Sequence, residues 1–257
     1  MTTTIVTPSA MSHPIVSRDQ WVAARTKLLT REKELTRLRD QIARERRALP
    51  WTRVEKRYVF DAPEGRRTLA DLFDGRRQLL VQHFMLAPQW GQGCKSCSYM
   101  ADHNDGANLH LAQRDVTLLA VSRAPLAEIE SFRKRMGWQF KWVSSYGSDF
   151  NPDFGVTFTA DEISEGRARY NFDRQPPGEE MPGISVFYKD DSGDVFHTYS
   201  TYGRGVEVMM HAYNLLDLTP KGRDEDDLNF TMEWVRHHDR YETAQAAKPA
   251  LAAGSCC

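Results

Sequence analysis

The sequence predicts a mixed α/β domain preceded by a long helical arm. Three observations carry this reading. Two apolar runs of strand length, residues 78–85 and 115–122, flank a stretch of helical character, which makes a β-α-β unit. A second pair of runs, 184–189 and 195–200, is joined by the turn Asp190-Asp191-Ser192-Gly193-Asp194 and followed by a helix over 206–216. Ahead of both, Trp21, Leu28, Leu35, Ile42 and Leu49 recur at intervals of seven among Arg, Lys, Glu and Asp.

Residues 1–16 read as a flexible leader. The arm follows over 17–50. Ser17 with Gln20 forms a capping-box signature at its start, and Pro50 stops it. Leu38 and Ala24 add only a partial second row, so the arm either packs along a narrow stripe or pairs two copies into a homodimer. The domain spans 51–241. It opens with a strand over 53–60, a turn over 61–65 and a short helical turn over 68–73 that Asp74-Gly75 breaks. The strand 78–85 runs into a loop with Pro88, Gly91 and Gly93, and then into a helix over roughly 96–113. Asp102-His103-Asn104-Asp105-Gly106 weakens that helix in the middle, where a break is expected. A strand over 115–122, a helix over 125–136 and a short strand over 140–143 follow. Residues 144–182, rich in Gly, Pro, Asp and Asn, form an insertion before the final hairpin. Residues 231–241 are a last helical or irregular segment, and 242–257 an Ala-rich flexible tail.

Composition narrows the partners. Basic residues number 34 and acidic residues 35, a net charge of -1 that gives nucleic acid no electrostatic footing. No stretch approaches the roughly 18–20 apolar residues of a membrane-spanning helix. The N-terminus lacks a basic segment followed by an apolar run, so the expected location is the cytoplasm. There a disulfide framework is improbable, and a C-x-x-C pair reads as redox or metal chemistry.

Cys94-Lys95-Ser96-Cys97 is that pair. It follows a buried strand and a loop and stands at a helix start, where unpaired N–H groups and the dipole favour a thiolate. Lys95 adds positive charge beside it, and Ser96 keeps the surroundings polar. Cys94 is assigned the attack and Cys97 the resolution of the mixed disulfide. Pro182, just before the strand at 184, is the candidate for a cis-proline loop opposite the cysteines. Trp90 can shield the thiols or contact substrate. His83, in the strand before the loop, is a core histidine or a redox-site neighbour. Zinc needs two more ligands. Cys256-Cys257 are poor joint ligands, so no metal is assigned, and the chemistry calls for no cofactor.

Gly93-Cys94-Lys95-Ser96-Cys97-Ser98, Asp149-Phe150-Asn151, Pro182-Gly183-Ile184-Ser185-Val186-Phe187 and His197-Thr198-Tyr199-Ser200-Thr201-Tyr202 resemble the bacterial family called domain of unknown function 899. Gly222-Arg223-Asp224-Glu225 and residues 234–241 extend the resemblance, which covers about 13–241. It implies a thioredoxin-like fold, consistent with the closing β-β-α order, and says little about activity. The opening, 58–84, also looks like peroxiredoxin-type domains. Their P-x-x-x-T/S-x-x-C pattern fails here in both registers. Counting back from Cys97 meets Cys94 and Trp90, and from Cys94 meets Gly91 and Ala87.

The expected function is therefore thiol–disulfide exchange on a disulfide-containing substrate, with an external dithiol as reductant. A thiol peroxidase and a non-redox binding module stand as alternatives. Outside the motif, His197 and Tyr199 share a strand face, His237 and His238 suit a clasp of the C-terminus better than a metal, and residues 223–227 read as a solvated charge run. The aromatics Tyr146, Phe150, Phe154, Phe158, Tyr170 and Phe172 of the insertion can roof the cysteines or form a structural lid.

Overall fold

The computed structural model describes residues 13–242; the first twelve residues and everything from 243, Cys256 and Cys257 included, lie outside it. The chain divides into two units between Leu49 and Pro50.

The first unit is one helix, α1 (Arg18–Arg47). Its N-terminus is capped reciprocally. Ser17 Oγ accepts from the Gln20 N–H at 3.3 Å, and the Ser17 N–H donates to Gln20 Oε1 at 3.0 Å. Arg44, Arg46 and Arg47 occupy the last turn, where cations complement the helix dipole. No residue of α1 is buried, and Trp21, Leu28, Leu35 and Ile42 are each more than two-fifths exposed.

The second unit carries the sheet. Its elements are β1 (Thr52–Arg53), β2 (Val59–Ala62), β3 (Gly65–Thr68), β4 (Gln78–His83), α2 (Lys95–Ala101), α3 (Asn104–Leu111), β5 (Val116–Ser122), α4 (Leu126–Met136), β6 (Trp142–Ser144), α5 (Phe150–Asp153), α6 (Ala160–Ser164), β7 (Gly183–Lys189), β8 (Val195–Tyr202) and α7 (His211–Leu216). The strand order is β1-β8-β7-β4-β5-β6-β2-β3. β4 and β5 run parallel, with His83 opposite Val121, because α2 and α3 carry the chain back across the sheet. β7 pairs antiparallel with β4 and β8 antiparallel with β7. This β-α-β followed by β-β-α, with strand order β5-β4-β7-β8 at its centre, is the thioredoxin-like arrangement.

Both faces of the sheet are covered. Alternate residues along β4 divide between two cores: Leu80 and, one residue past the strand, Phe84 join Trp142, Phe132 and Met100 on one side, and Leu79 and Val81 join Phe60, Phe73 and Phe150 on the other. A smaller cluster of Val156, Phe158, Ala168, Tyr170 and Tyr202 orders part of the insertion.

Several predicted boundaries move. The strand expected over 53–60 is split. Only Thr52 and Arg53 pair with β8, and β2 begins at Val59. The charged residues between are drawn elsewhere, since Lys56 Nζ lies 2.7 Å from both Asp149 and Asp153. The turn at 63–64 joins β2 to β3 rather than leading to a helix. The helix expected over 96–113 breaks between α2 and α3 at Asp102-His103. Asp102 there accepts from Trp138 Nε1 at 2.9 Å and meets His238 Nδ1 at 2.6 Å. The helix expected over 206–216 starts as a 3-10 stretch, Gly203–Met209, because Met210 leaves the helical region at φ -92, ψ 71. The Pro182 isomer, open from the sequence, is trans: no cis peptide bond occurs among the described residues, so the candidate cis-proline loop is not formed. Its carbonyl is held by the Tyr170 hydroxyl at 2.7 Å, and Gly183 is already in register with His83.

Candidate active site

β4 ends at His83, and the chain crosses the sheet edge through residues 84–93 before α2 begins. Cys94 is the N-cap of α2. Its carbonyl accepts from the Ser98 N–H at 3.0 Å and the Ser98 hydroxyl at 2.9 Å. The Cys94 N–H donates to Met85 O at 3.0 Å, tying the loop back onto itself. Gly93 is required here by close packing. A Cβ at this position would fall 2.8 Å from the Phe132 ring and closer still to that of Phe84. The Gly93 carbonyl accepts from His237 Nε2 at 2.9 Å. A carbonyl only accepts, so His237 carries its proton on Nε2, and Nδ1 is free to accept from Arg135 at 3.1 Å. His237 thus clasps the C-terminal segment to the cysteine loop as a neutral ring, its pKa lowered first by burial.

The two thiols are free and differ in environment. Cys94 is half-buried and Cys97 fully buried. The Cys97 thiol is the main cause that pulls the Cys94 pKa down to about 6, against an opposing push from burial. The backbone N–H groups of Cys97 and Ser96 and the Ser96 side chain add to it. The same pairing, then burial, raises the Cys97 pKa well above that of an ordinary thiol. Cys97 Sγ also lies 3.5 Å from the Met85 N–H. The Cys97 carbonyl accepts from Gln82 Nε2 at 3.1 Å, and Gln82 Oε1 accepts from Asn104 Nδ2 at 2.8 Å. Gln82 and Asn104 are both buried and hold the Cys97 carbonyl from beneath; the sequence signals Gln82 only as a polar residue inside an apolar run and does not signal Asn104.

The cysteines open onto a cavity of about 760 Å³. Ser96 and Pro182 line it with them, and Tyr170 joins them from the insertion. Tyr170 ties two walls together, donating to Pro182 O and accepting from the Gly203 N–H, each at 2.7 Å. Of the insertion aromatics named from the sequence, Tyr170 alone lines the cavity. Residues 221–226, which take in most of the 223–227 run expected as solvated charge, line it as well. The Arg223 guanidinium lies 4.0 Å from the Tyr213 ring centroid and bonds Glu207 and Asp217. Glu225 Oε1 accepts from Tyr213, Trp234 and the Met232 N–H at 2.6, 2.6 and 3.0 Å.

Three expected site residues stand elsewhere. Lys95 is exposed and is not among the chief causes that lower the Cys94 pKa, because its side chain leaves the helix into solvent. Trp90 is 45% exposed and does not line the cavity. His83 faces the opposite side of the sheet, one residue out of phase with Gln82, and packs on Phe150 and Phe154. Its Nε2 lies 2.8 Å from Ser185 Oγ, Ser185 Oγ 2.8 Å from Ser200 Oγ, and Ser200 Oγ 2.7 Å from His197 Nε2. This buried chain runs under the sheet, away from the thiols. No group of three or more His, Cys, Asp and Glu able to hold a metal occurs among the described residues.

The family described as bacterial protein of unknown function (DUF899) matches residues 10–241. The chain belongs to this family. Among solved structures, it is similar to the peroxidoxin BcpB from Mycobacterium tuberculosis, at 15% identity over 63% of this chain and 96% of that one, with a TM-score of 0.40. It is similar also to a protein assigned as the thiol:disulfide interchange protein DsbE from Chlorobium tepidum, at 12% identity over 64% and 97%, with a TM-score of 0.39. A third is the mitochondrial 2-Cys peroxiredoxin from Plasmodium falciparum, at 11% identity over 65% and 92%, TM-score 0.37. No curated protein resembles the chain closely enough to count as a match.

Proposed function

We propose that this member of the DUF899 family is a thiol–disulfide oxidoreductase in which Cys94 attacks and Cys97 resolves. The observation that carries the reading is the placement of the pair: a half-buried thiol at the N-cap of α2 on the lining of a cavity, with a fully buried thiol nearly one turn further along the same helix. An inert pair of buried cysteines has no cavity to face and no lowered pKa. The Cys94 thiolate attacks one sulfur of the substrate disulfide and expels the other as a thiolate. Cys97 then gives up its proton and attacks Cys94 Sγ, releasing the second thiol and leaving Cys94–Cys97 oxidised. Two electrons pass to the substrate, and an external dithiol returns them.

The partners in this reading are a disulfide-bearing substrate and a dithiol reductant, without cofactor or metal. No helix among the described residues is long and apolar enough to cross a membrane. A pair that works from the reduced state belongs in a reducing compartment, the cytosol.

Redox titration of the wild type, read by alkylation and mass spectrometry, is expected to show a reversible Cys94–Cys97 disulfide. Cys94→Ser is expected to abolish disulfide reduction and Cys97→Ser to trap mixed disulfides at Cys94. Full turnover by Cys94→Ser would refute the assignment. Rapid sulfenic acid formation at Cys94 with peroxide, faster than any disulfide reaction, would move the reading to a thiol peroxidase.

A further inference from the structure

The cavity beside Cys94 has a chemical character that the dithiol alone does not require. Five methionines line it: Met85, Met100, Met181, Met210 and Met232. Unbranched thioethers adapt to irregular apolar shapes, and surfaces rich in them accept varied hydrophobic ligands. Val206, Pro182 and the rings of Tyr170 and Tyr213 complete an apolar interior. Its volume, about 760 Å³, falls within the range of small-molecule sites.

The mouth is charged, and among the described residues each cation on it is paired. Arg204 pairs with Glu207 at 2.8 Å and Lys221 with Asp224 at 3.4 Å. Arg223 pairs with Glu207 at 3.2 Å and with Asp217 at 2.9 Å. Three basic residues stand among four acidic ones on the lining, Glu207, Asp224, Glu225 and Asp226. An anionic substrate would have to compete with a carboxylate for each cation and would meet a small excess of negative charge. An uncharged apolar molecule meets neither obstacle and gains by leaving water.

Resting on the disulfide-exchange reading above, we infer that the substrate is a low-molecular-mass, uncharged, apolar disulfide whose hydrocarbon arm seats among the methionines. The Cys94 thiolate attacks the sulfur carrying the seated arm, and the other half leaves as a thiolate that takes a proton from water. Cys97 loses its proton, attacks Cys94 Sγ and displaces the seated half, which is protonated in turn. The balance is one substrate disulfide reduced to two thiols for one protein dithiol oxidised, with an external dithiol closing the cycle.

The test uses the full chain, reduced, with four probe classes: bis(2-hydroxyethyl) disulfide as small and polar, the diethyl to dibutyl dialkyl disulfides as an apolar series, glutathione disulfide as anionic, and butyl hydroperoxide as a non-disulfide oxidant. Formation of the Cys94–Cys97 disulfide is followed by alkylation and mass spectrometry. The second-order rate constant is expected to rise about fourfold per methylene on the seated arm, the fold-change that corresponds to about 0.8 kcal/mol per buried CH₂. Glutathione disulfide is expected to be the slowest disulfide. Met181→Glu, which sets a carboxylate in the wall, is expected to slow dibutyl disulfide about tenfold, and Met181→Leu, which keeps the wall apolar, to slow it far less. A flat alkyl series, or glutathione disulfide as the fastest, overturns the substrate class and leaves disulfide exchange standing. Oxidation of the pair by no disulfide, or by the hydroperoxide first, overturns the disulfide-exchange reading itself.

Discussion

At the scale of single residues, the difference between Cys94 and Cys97 comes from their places on α2, the cap against a position nearly one turn further in. Cys94 sits on the cap, where its sulfur meets the cavity and the first N–H groups of α2; Cys97 is inside the core. Because the Cys97 thiol is the largest cause of the lowered Cys94 pKa, removing that donor should show directly. In the wild type, the rate of Cys94 alkylation by iodoacetamide should rise with pH through about 6, as the thiolate forms. In Cys97→Ala the midpoint should move toward the ordinary thiol value near 8.5–9 and the rate at pH 6.5 should fall by at least about tenfold. An unmoved midpoint would assign the shift to the helix end instead. The motif and its place at a helix start were legible in four consecutive letters and the apolar strand before them. The roles given to Lys95 and Trp90 were not sustained, because nearness in sequence does not say which way a side chain leaves a helix or a turn. Gln82 and His237 were brought beside the motif by strand phase and by a segment 144 residues after Gly93, neither of which local pattern reports.

At the scale of elements, the outer wall of the cavity depends on one carboxylate. Glu225 gathers three donors on a single oxygen and fastens 225 to 232, 234 and 213. Glu225→Ala leaves those partly buried donors unpaired and should cost about 1–3 kcal/mol locally. Hydrogen exchange of residues 221–235 should accelerate while that of β4 and β5 stays unchanged; uniform acceleration would show instead that the whole fold had been weakened. The arm α1 poses the opposite problem, a regular element with nothing buried. Its heptad row, Trp21, Leu28, Leu35 and Ile42, is the pattern through which two copies of a chain pair, and a homodimer through α1 is the expectation to test. Sedimentation equilibrium should give a dimer whose mass falls to that of one chain in the double variant Leu28→Glu and Leu35→Glu. A monomeric wild type would refute the pairing. The helix ends, the break in the 96–113 helix and the final hairpin were readable because caps, weak formers and turns are local signals. The split of the first strand was not, since it follows from the hold of Asp149 and Asp153 on Lys56 nearly a hundred residues away.

At the scale of the whole molecule, the buried chain from His83 through Ser185 and Ser200 to His197 sets an acid limit on stability. Burial, and then the charge of His197, holds the His83 pKa down to about 3, while His197 is lowered by its own burial. The unfolded chain binds a proton at each imidazole below about 6.5, whereas the folded chain keeps His83 neutral until about pH 3 and protonates His197 at lower pH than the unfolded chain does. Stability should therefore be full above pH 6.5 and fall as the pH drops toward 3, by an amount of the order of a few kcal/mol. Urea unfolding across that range measures it, and His83→Gln should flatten the slope; an unchanged slope would place the acid sensitivity elsewhere. The sequence by itself determined the strand and helix periodicities, the capped arm, the thioredoxin-like order of elements and the C-x-x-C at a helix start, because each is written in neighbouring residues a turn or a pleat apart. Only the tertiary structure decided which side of the sheet His83 takes, that Pro182 is trans, and that a charged C-terminal stretch and five scattered methionines enclose the thiols. Those outcomes depend on packing between segments far apart in the chain, where burial and pairing override any local preference.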